Sequence, residues 1–179
     1  MYDGFRHFLF ILPPVFVTCG LGLDVLFRWL KKLEKGNRSP SWLRAGTILL
    51  VSLPGLLGAA RLHPYQYAYY NSFVGGTGGA FRVYETDYWL TCYKEAAEQT
   101  DFTLPARLFV HREASIAAPY AVSGLTVLDE RGNLKDIRAG DYILVNSRTN
   151  EDRKTFHDAP TVGEVRRGAA VFCVVKQVP

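Results

Sequence analysis

Methionine occurs once and cysteine three times among 179 residues, and the four histidines are dispersed. Cys19, Cys92 and Cys173 show no CxxC or paired spacing, so neither a disulfide framework nor a cysteine zinc site is supported, and the redox compartment stays open. His7, His63, His111 and His157 lie too far apart to propose metal ligands or a catalytic base, and neither GxSxG nor HExxH occurs. His111 and Glu113 would share a face of one strand, a spacing more common in surface polarity than in a site. Repeats and low-complexity tracts are missing too, which excludes solenoids. With 48% hydrophobic and 21% charged residues, the chain can bury one ordinary core and is neither disordered nor collagen-like.

Basic charge is scarce outside the first third. Residues 1–70 carry 8 Lys+Arg against 3 Asp+Glu, and residues 71–179 carry 13 against 14. The bias coincides with the apolar runs, so it resembles membrane flanks and not the basic face that a nucleic-acid-binding domain needs.

Two stretches of 16 residues lack any charge: FLFILPPVFVTCGLGL from Phe8 to Leu23 and AGTILLVSLPGLLGAA from Ala45 to Ala60. A bilayer core asks for roughly 17 to 25 helical residues, so each must recruit its borders to span. Pro13, Pro14 and Pro54 would break soluble helices, but neighbouring helices in a bilayer can satisfy the freed carbonyls. The alternative is a buried hairpin of a soluble protein. Between the runs, Arg28, Lys31, Lys32, Lys35, Arg38 and Arg44 face a single Glu34. By the positive-inside rule this loop is cytoplasmic, which puts Met1 and everything beyond Leu62 on the outer face. The first run lacks the basic leader and small-residue cleavage site of a removable signal peptide.

Beyond the second run, HPYQYAYYNSF crowds Tyr65, Tyr67, Tyr69, Tyr70 and Phe73 into a few residues, as in an aromatic belt at the headgroup level. The same rings could floor a glycan site, with belt or core packing the more common use of such residues. Gly75, Gly76, Gly78 and Gly79 follow; with no apolar strand before them and no P-loop lysine after, they read as a flexible turn. The spacing of Trp89, Tyr93, Ala96 and Ala97 predicts a short amphipathic helix from about Tyr88 to Gln99. Ahead of it, Glu85 and Asp87 sit beside Tyr84, Tyr88 and Trp89. Paired carboxylates among aromatics suit sugar hydroxyls or a divalent ion; Asp87 is also well placed to cap a helix.

Short apolar strands follow at 107–111, 125–128, 142–146, 162–166 and 170–176, with a helix over 114–122. Strands separated by helices predict a small α/β sheet, the last two forming an antiparallel hairpin at Arg167-Gly168 that closes its edge.

The segments YDGFRHFLFILPPVFV, RLHPYQYAYYNSFVGG, GAFRVYETDYWLTCYKEAAE and GEVRRGAAVFCVV together resemble the carboxyl-terminal part of bacterial polytopic membrane glycosyltransferases of type C. These enzymes are related to protein mannosyltransferases and to the aminoarabinose and Rgt-type transferases. The resemblance covers nearly the whole chain, and HPYQYAYYN and ETDYW-x3-YKEAAE are its most specific parts. It implies sugar transfer from a polyprenyl-phosphate donor on the outer face of the bacterial plasma membrane, in agreement with the topology read from charge. In such enzymes an acidic base lies in the first outer loop and further spans build the donor cavity; this chain has neither, so Met1 reads as an internal start or a fragment boundary. Missing upstream helices are then a partner, and a divalent cation is an open option for the full-length enzyme. The resemblance also places Arg6, beside His7, where related enzymes hold a basic residue near the lipid phosphate; interfacial snorkelling is the alternative.

The expected architecture is thus two transmembrane helices followed by a small extracytoplasmic α/β domain with a mixed sheet. Residues 1–62 form the hairpin with its basic loop at 31–44, residues 63–84 an interfacial aromatic and glycine-rich linker, and residues 85–179 the outer domain. Candidate substrate-binding residues are Arg6, His7, Glu85, Asp87, Tyr88 and Trp89, with no catalytic residue assigned. The contrasting reading is a membrane-anchored module that binds glycan or protein without catalysis. Carbonate extraction checks the membrane reading: the chain should stay in the pellet, and release into the supernatant would favour a soluble hairpin.

Overall fold

The computed structural model describes residues 10–33 and 41–179. They divide into two compact units, Met1–Pro54 and Gly55–Pro179.

In the first unit, helix α1 spans Leu12–Leu33. Its window Leu12–Trp29 is long and apolar enough to cross a membrane. The apolar stretch of the second helix, α2 (Ser41–Arg61), runs from Ala45 to Arg61 and is shorter. Pro13 and Pro14 fall in the first turn of α1, where no intrahelical N–H is required, so they start this helix without needing neighbours to compensate. Pro54 lies in the interior of α2. Phe16, Val17, Leu21 and Val25 on α1 are all exposed. Asp24 and Arg28 form an i,i+4 ion pair at 2.6 Å.

The second unit is built on five strands: β1 (Ala106–Val110), β2 (Leu125–Asp129), β3 (Tyr142–Asn146), β4 (Thr161–Arg167) and β5 (Ala170–Gln177). Their order is β2-β1-β3-β5-β4, with β1 parallel to β2 and β3, and β5 antiparallel to β3 and β4. The sheet is therefore mixed, and the final hairpin closes one edge as the sequence predicts. Side chains alternate between two cores. Leu108, Val110, Leu144, Phe172 and Val175 pack on one face, and Phe109, Ile143, Val145 and Val174 on the other. Every residue of β3 is buried, which explains its unbroken apolar run, whereas β4 is mostly exposed and carries register shifts at Thr161/Gly163 and Val165/Arg166.

Short helices make the connections: α3 (Gly76–Ala80), α4 (Cys92–Gln99), α5 (Ala114–Ala117), α6 (Glu130–Asn133) and α7 (Glu151–Lys154). The helix expected from Tyr88 begins only at Cys92, because Leu90 takes a left-handed turn with φ 58°. Tyr93, Ala96 and Ala97 form its buried face, but Trp89 precedes the helix and is 64% exposed. The helix expected over 114–122 is two short pieces, α5 and a 3₁₀ turn at Ala118–Tyr120.

Two further expectations are overturned. Tyr65 does not lie at a wet interface: it is 1% exposed in the core, its ring 4.8 Å from that of Phe172. Its hydroxyl finds a polar partner inside the fold, donating to Glu95 Oε2 at 2.8 Å, which lets an amphipathic ring bury fully. The glycine run is a packed corner rather than a loose turn. Thr77 and Ala80 of α3 are buried, and a Cβ on Gly79 would come within 2.1 Å of the Val74 carbonyl oxygen. The close approach of two backbone segments requires this glycine.

Cys92 and Cys173 form a disulfide that joins α4 to β5, with Cα atoms 6.1 Å apart. The two cysteines are 81 residues apart, which hid the pair from any local spacing rule, and both are fully buried. Closing a loop of that length removes entropy from the unfolded chain worth about 4 kcal/mol. The Cys92→Ala/Cys173→Ala double variant should accordingly lose about 3 to 4 kcal/mol in denaturant unfolding. Unmodified protein should resist thiol alkylation at these positions until it is unfolded and reduced.

Candidate functional site

The chain passes from β1 to β2 on one side and then crosses to β3 on the other side of β1, so the parallel strands have a switch point between β1 and β3. Clefts outside the carboxyl ends of such strands are where α/β sheets most often hold ligands. The segment ETDYW, Glu85 to Trp89, meets the carboxyl end of β3 and the loop after it. There Asn146 Nδ2 donates to the Asp87 carbonyl at 3.2 Å, and Arg148 Nε donates to Glu85 Oε1 at 2.8 Å.

Glu85 and Asp87, two residues apart in sequence, have separate tasks. Asp87 is 1% exposed. Its Oδ1 accepts from the Tyr67 hydroxyl and from the Thr91 amide at 3.0 Å, and its Oδ2 from the Cys92 amide at 3.1 Å. The last two bonds satisfy orphan N–H groups at the start of α4, so Asp87 does act as a helix cap. Burial raises its pKa above the ordinary aspartate range, because desolvation outweighs the three donors. Glu85 instead has a half-exposed carboxylate, and its partner Arg148 lies 4.1 Å over the ring of Tyr88. Tyr88 in turn meets Trp89 edge-on at 5.0 Å. Arg6 and His7 lie outside the described residues.

Sequence reading missed the basic side of this cleft. A hollow of about 170 Å³ runs between Phe81–Thr86 and Ser147–Asn150. Arg82 forks onto Asp152, Nη1 to Oδ1 at 3.1 Å and Nη2 to Oδ2 at 2.6 Å, and Nη1 also reaches Asn150 Oδ1 at 2.6 Å. Arg82 and Asp152 are 70 residues apart, so no local pattern announces the pair. Elsewhere Arg167 forks onto Glu95, at 3.1 and 2.7 Å, with its guanidinium 4.7 Å over Tyr65. Although burial opposes it, Arg167 together with the Tyr65 hydroxyl holds the Glu95 carboxyl below its usual range. His111 Nδ1 bonds Glu130 Oε2 and not Glu113, which pairs with Arg131 at 3.4 Å. Among the described residues, no group of three or more His, Cys, Asp or Glu side chains is placed to hold a metal ion.

The arrangement offers fixed donors and acceptors beside exposed aromatic faces, a surface that can read hydroxyl groups. It contains no nucleophile with a paired base. No family model, curated protein or solved structure matches the chain.

Burial raises the pKa of Tyr65, Tyr67 and Tyr93, and the neighbouring carboxylates add to the shift. A raised folded value means that the folded state keeps protons which the unfolded chain releases above pH about 10, so this contribution to stability is full below that pH and lost as pH rises. Ultraviolet titration should show the two fully buried phenols, Tyr65 and Tyr93, ionising only together with unfolding. Their ionisation in the ordinary range with the circular dichroism unchanged would contradict the burial assigned to them.

Proposed function

We infer that the chain is the carboxyl-terminal portion of an inverting membrane glycosyltransferase, which moves a sugar from a polyprenyl-phosphate donor to an acceptor on the outer face of the bacterial plasma membrane. One observation carries the reading: the two segments with the most specific resemblance to such enzymes are bonded to each other. Tyr65 donates to Glu95, Tyr67 to Asp87, and Tyr70 to the Glu85 carbonyl at 2.8 Å.

Three further features support it. The apolar window of α1 has exposed side chains, as a lipid-facing helix does, and α2 would complete a two-span hairpin by recruiting its borders. The lysines and arginines around the turn between the helices favour a cytoplasmic loop. A buried disulfide suits an oxidising compartment, which lies beyond that membrane. In this reading the donor cavity and the acidic base belong to upstream helices, and the unit Gly55–Pro179 stands on the outer face.

The purified 179-residue chain, in nanodiscs with a polyprenyl-phosphate sugar, should show no transfer. Immunoblotting host membranes with an antibody to the outer domain should reveal a band several times 20.1 kDa. A native band near 20.1 kDa would overturn this reading and favour the accessory module.

A further inference from the structure

Two arginines line the cleft at the end of β3, and they are bound differently. Arg82 is a closed clamp: both terminal nitrogens are taken by Asp152 and Asn150, and its guanidinium lies 4.4 Å over the ring of Phe81. Arg148 gives Glu85 only its Nε, an end-on pair that leaves the rest of the fork unclaimed by any carboxylate among the described residues. The Glu85 side chain is 40% exposed, and Arg148 takes one of its two oxygens. One face of the Arg148 guanidinium lies over Tyr88, but its terminal nitrogens meet no carboxylate among the described residues, so with the exposed Glu85 carboxylate it sets donors next to acceptors. A diol matches that pattern.

The walls complete the match. Tyr84 stacks on Tyr70 with centroids 5.7 Å apart and is 54% exposed, which offers a flat apolar face already held in place. Arg82, Thr149 and Asn150 adopt left-handed backbone conformations, with φ of 68°, 56° and 60°. Such conformations are disfavoured for residues other than glycine and persist where a particular shape is required. Here the Arg82 clamp joins two of the three across the hollow. The volume of about 170 Å³ accommodates a single pyranose ring. Each arginine in the lining is balanced by a carboxylate, so the cleft has no excess positive charge with which to hold a phosphate.

We propose that this cleft is a subsite for one neutral pyranose ring, stacked on Tyr84 and gripped at adjacent hydroxyls by Arg148 and Glu85. Because the site lacks phosphate-binding charge, it serves the acceptor and not the polyprenyl-phosphate donor. That assignment to the acceptor side rests on the transferase reading, whereas the sugar binding itself does not.

Saturation-transfer NMR on the full chain in nanodiscs tests this, with methyl hexopyranosides as probes and methyl glucuronoside and glucose 1-phosphate as charged controls. Transfer is expected from a neutral glycoside, weakened about tenfold by Tyr84→Ser and by Arg148→Gln. Resistance of the disulfide to alkylation would show that both variants are folded. Equal signals in the variants, a stronger signal from the charged probes, or silence across the panel would overturn the subsite. Binding together with a native band near 20.1 kDa would retain the sugar site and discard the acceptor role. A large native band with silence would do the reverse, discarding the subsite while leaving the transferase reading intact.

Discussion

The carboxylate of Asp87 is withdrawn from water and bonded from three directions: by the hydroxyl of Tyr67 and by the amides of Thr91 and Cys92. Its carbonyl accepts from Asn146 at the end of β3. The stretch following α2, the start of α4 and the central strand of the sheet therefore converge on one residue. An apolar side chain of similar size would strand three donors, each unmet group costing about 1 to 3 kcal/mol. Glu85, Tyr88 and Trp89 take their positions from the same anchor, since they flank it in sequence, and Cys92 is led by it toward Cys173.

Around that anchor, three arginine–carboxylate pairs tie residues 82–95 to the later part of the chain: Arg82 with Asp152, Arg148 with Glu85, and Arg167 with Glu95. All are partly exposed, where a single pair contributes on the order of 1 kcal/mol or less. Their weight lies in geometry. All three guanidiniums lie over an aromatic ring; two fork onto their carboxylate, which fixes direction as well as distance, and the third meets Glu85 through Nε alone.

The strands were legible because each is a short unbroken apolar run between polar links, which is a local signal, and β3 reproduces its predicted limits, Tyr142–Asn146. So was the buried face of α4, apart from Trp89, which helical spacing alone assigned to it. Reading failed where the deciding partner is remote. Nothing near Tyr65 foretells that Phe172 and Glu95 will cover it, and nothing near Cys92 points to position 173. Of the proposed site residues, Glu85 and Asp87 could be found from the sequence, and so could the option of Asp87 at a helix start, but not that the two carboxylates divide their tasks. The difference lies in which of them Tyr67 and the α4 amides reach, a matter of packing. Arg82 and Arg148 carried no local signal at all.

The disulfide makes a covalent ring of residues 92–173, and that ring encloses all of β1, β2, β3 and β4. A protease that cuts any loop within it produces two pieces still joined by one bond, so the nicked molecule keeps the size of the intact one until it is reduced. The edge strand β4 is confined in the same way: it cannot be traded between two copies unless the ring opens or a free end threads it. For a domain exposed to an environment rich in proteases, the ring turns a cut into a tolerated scar.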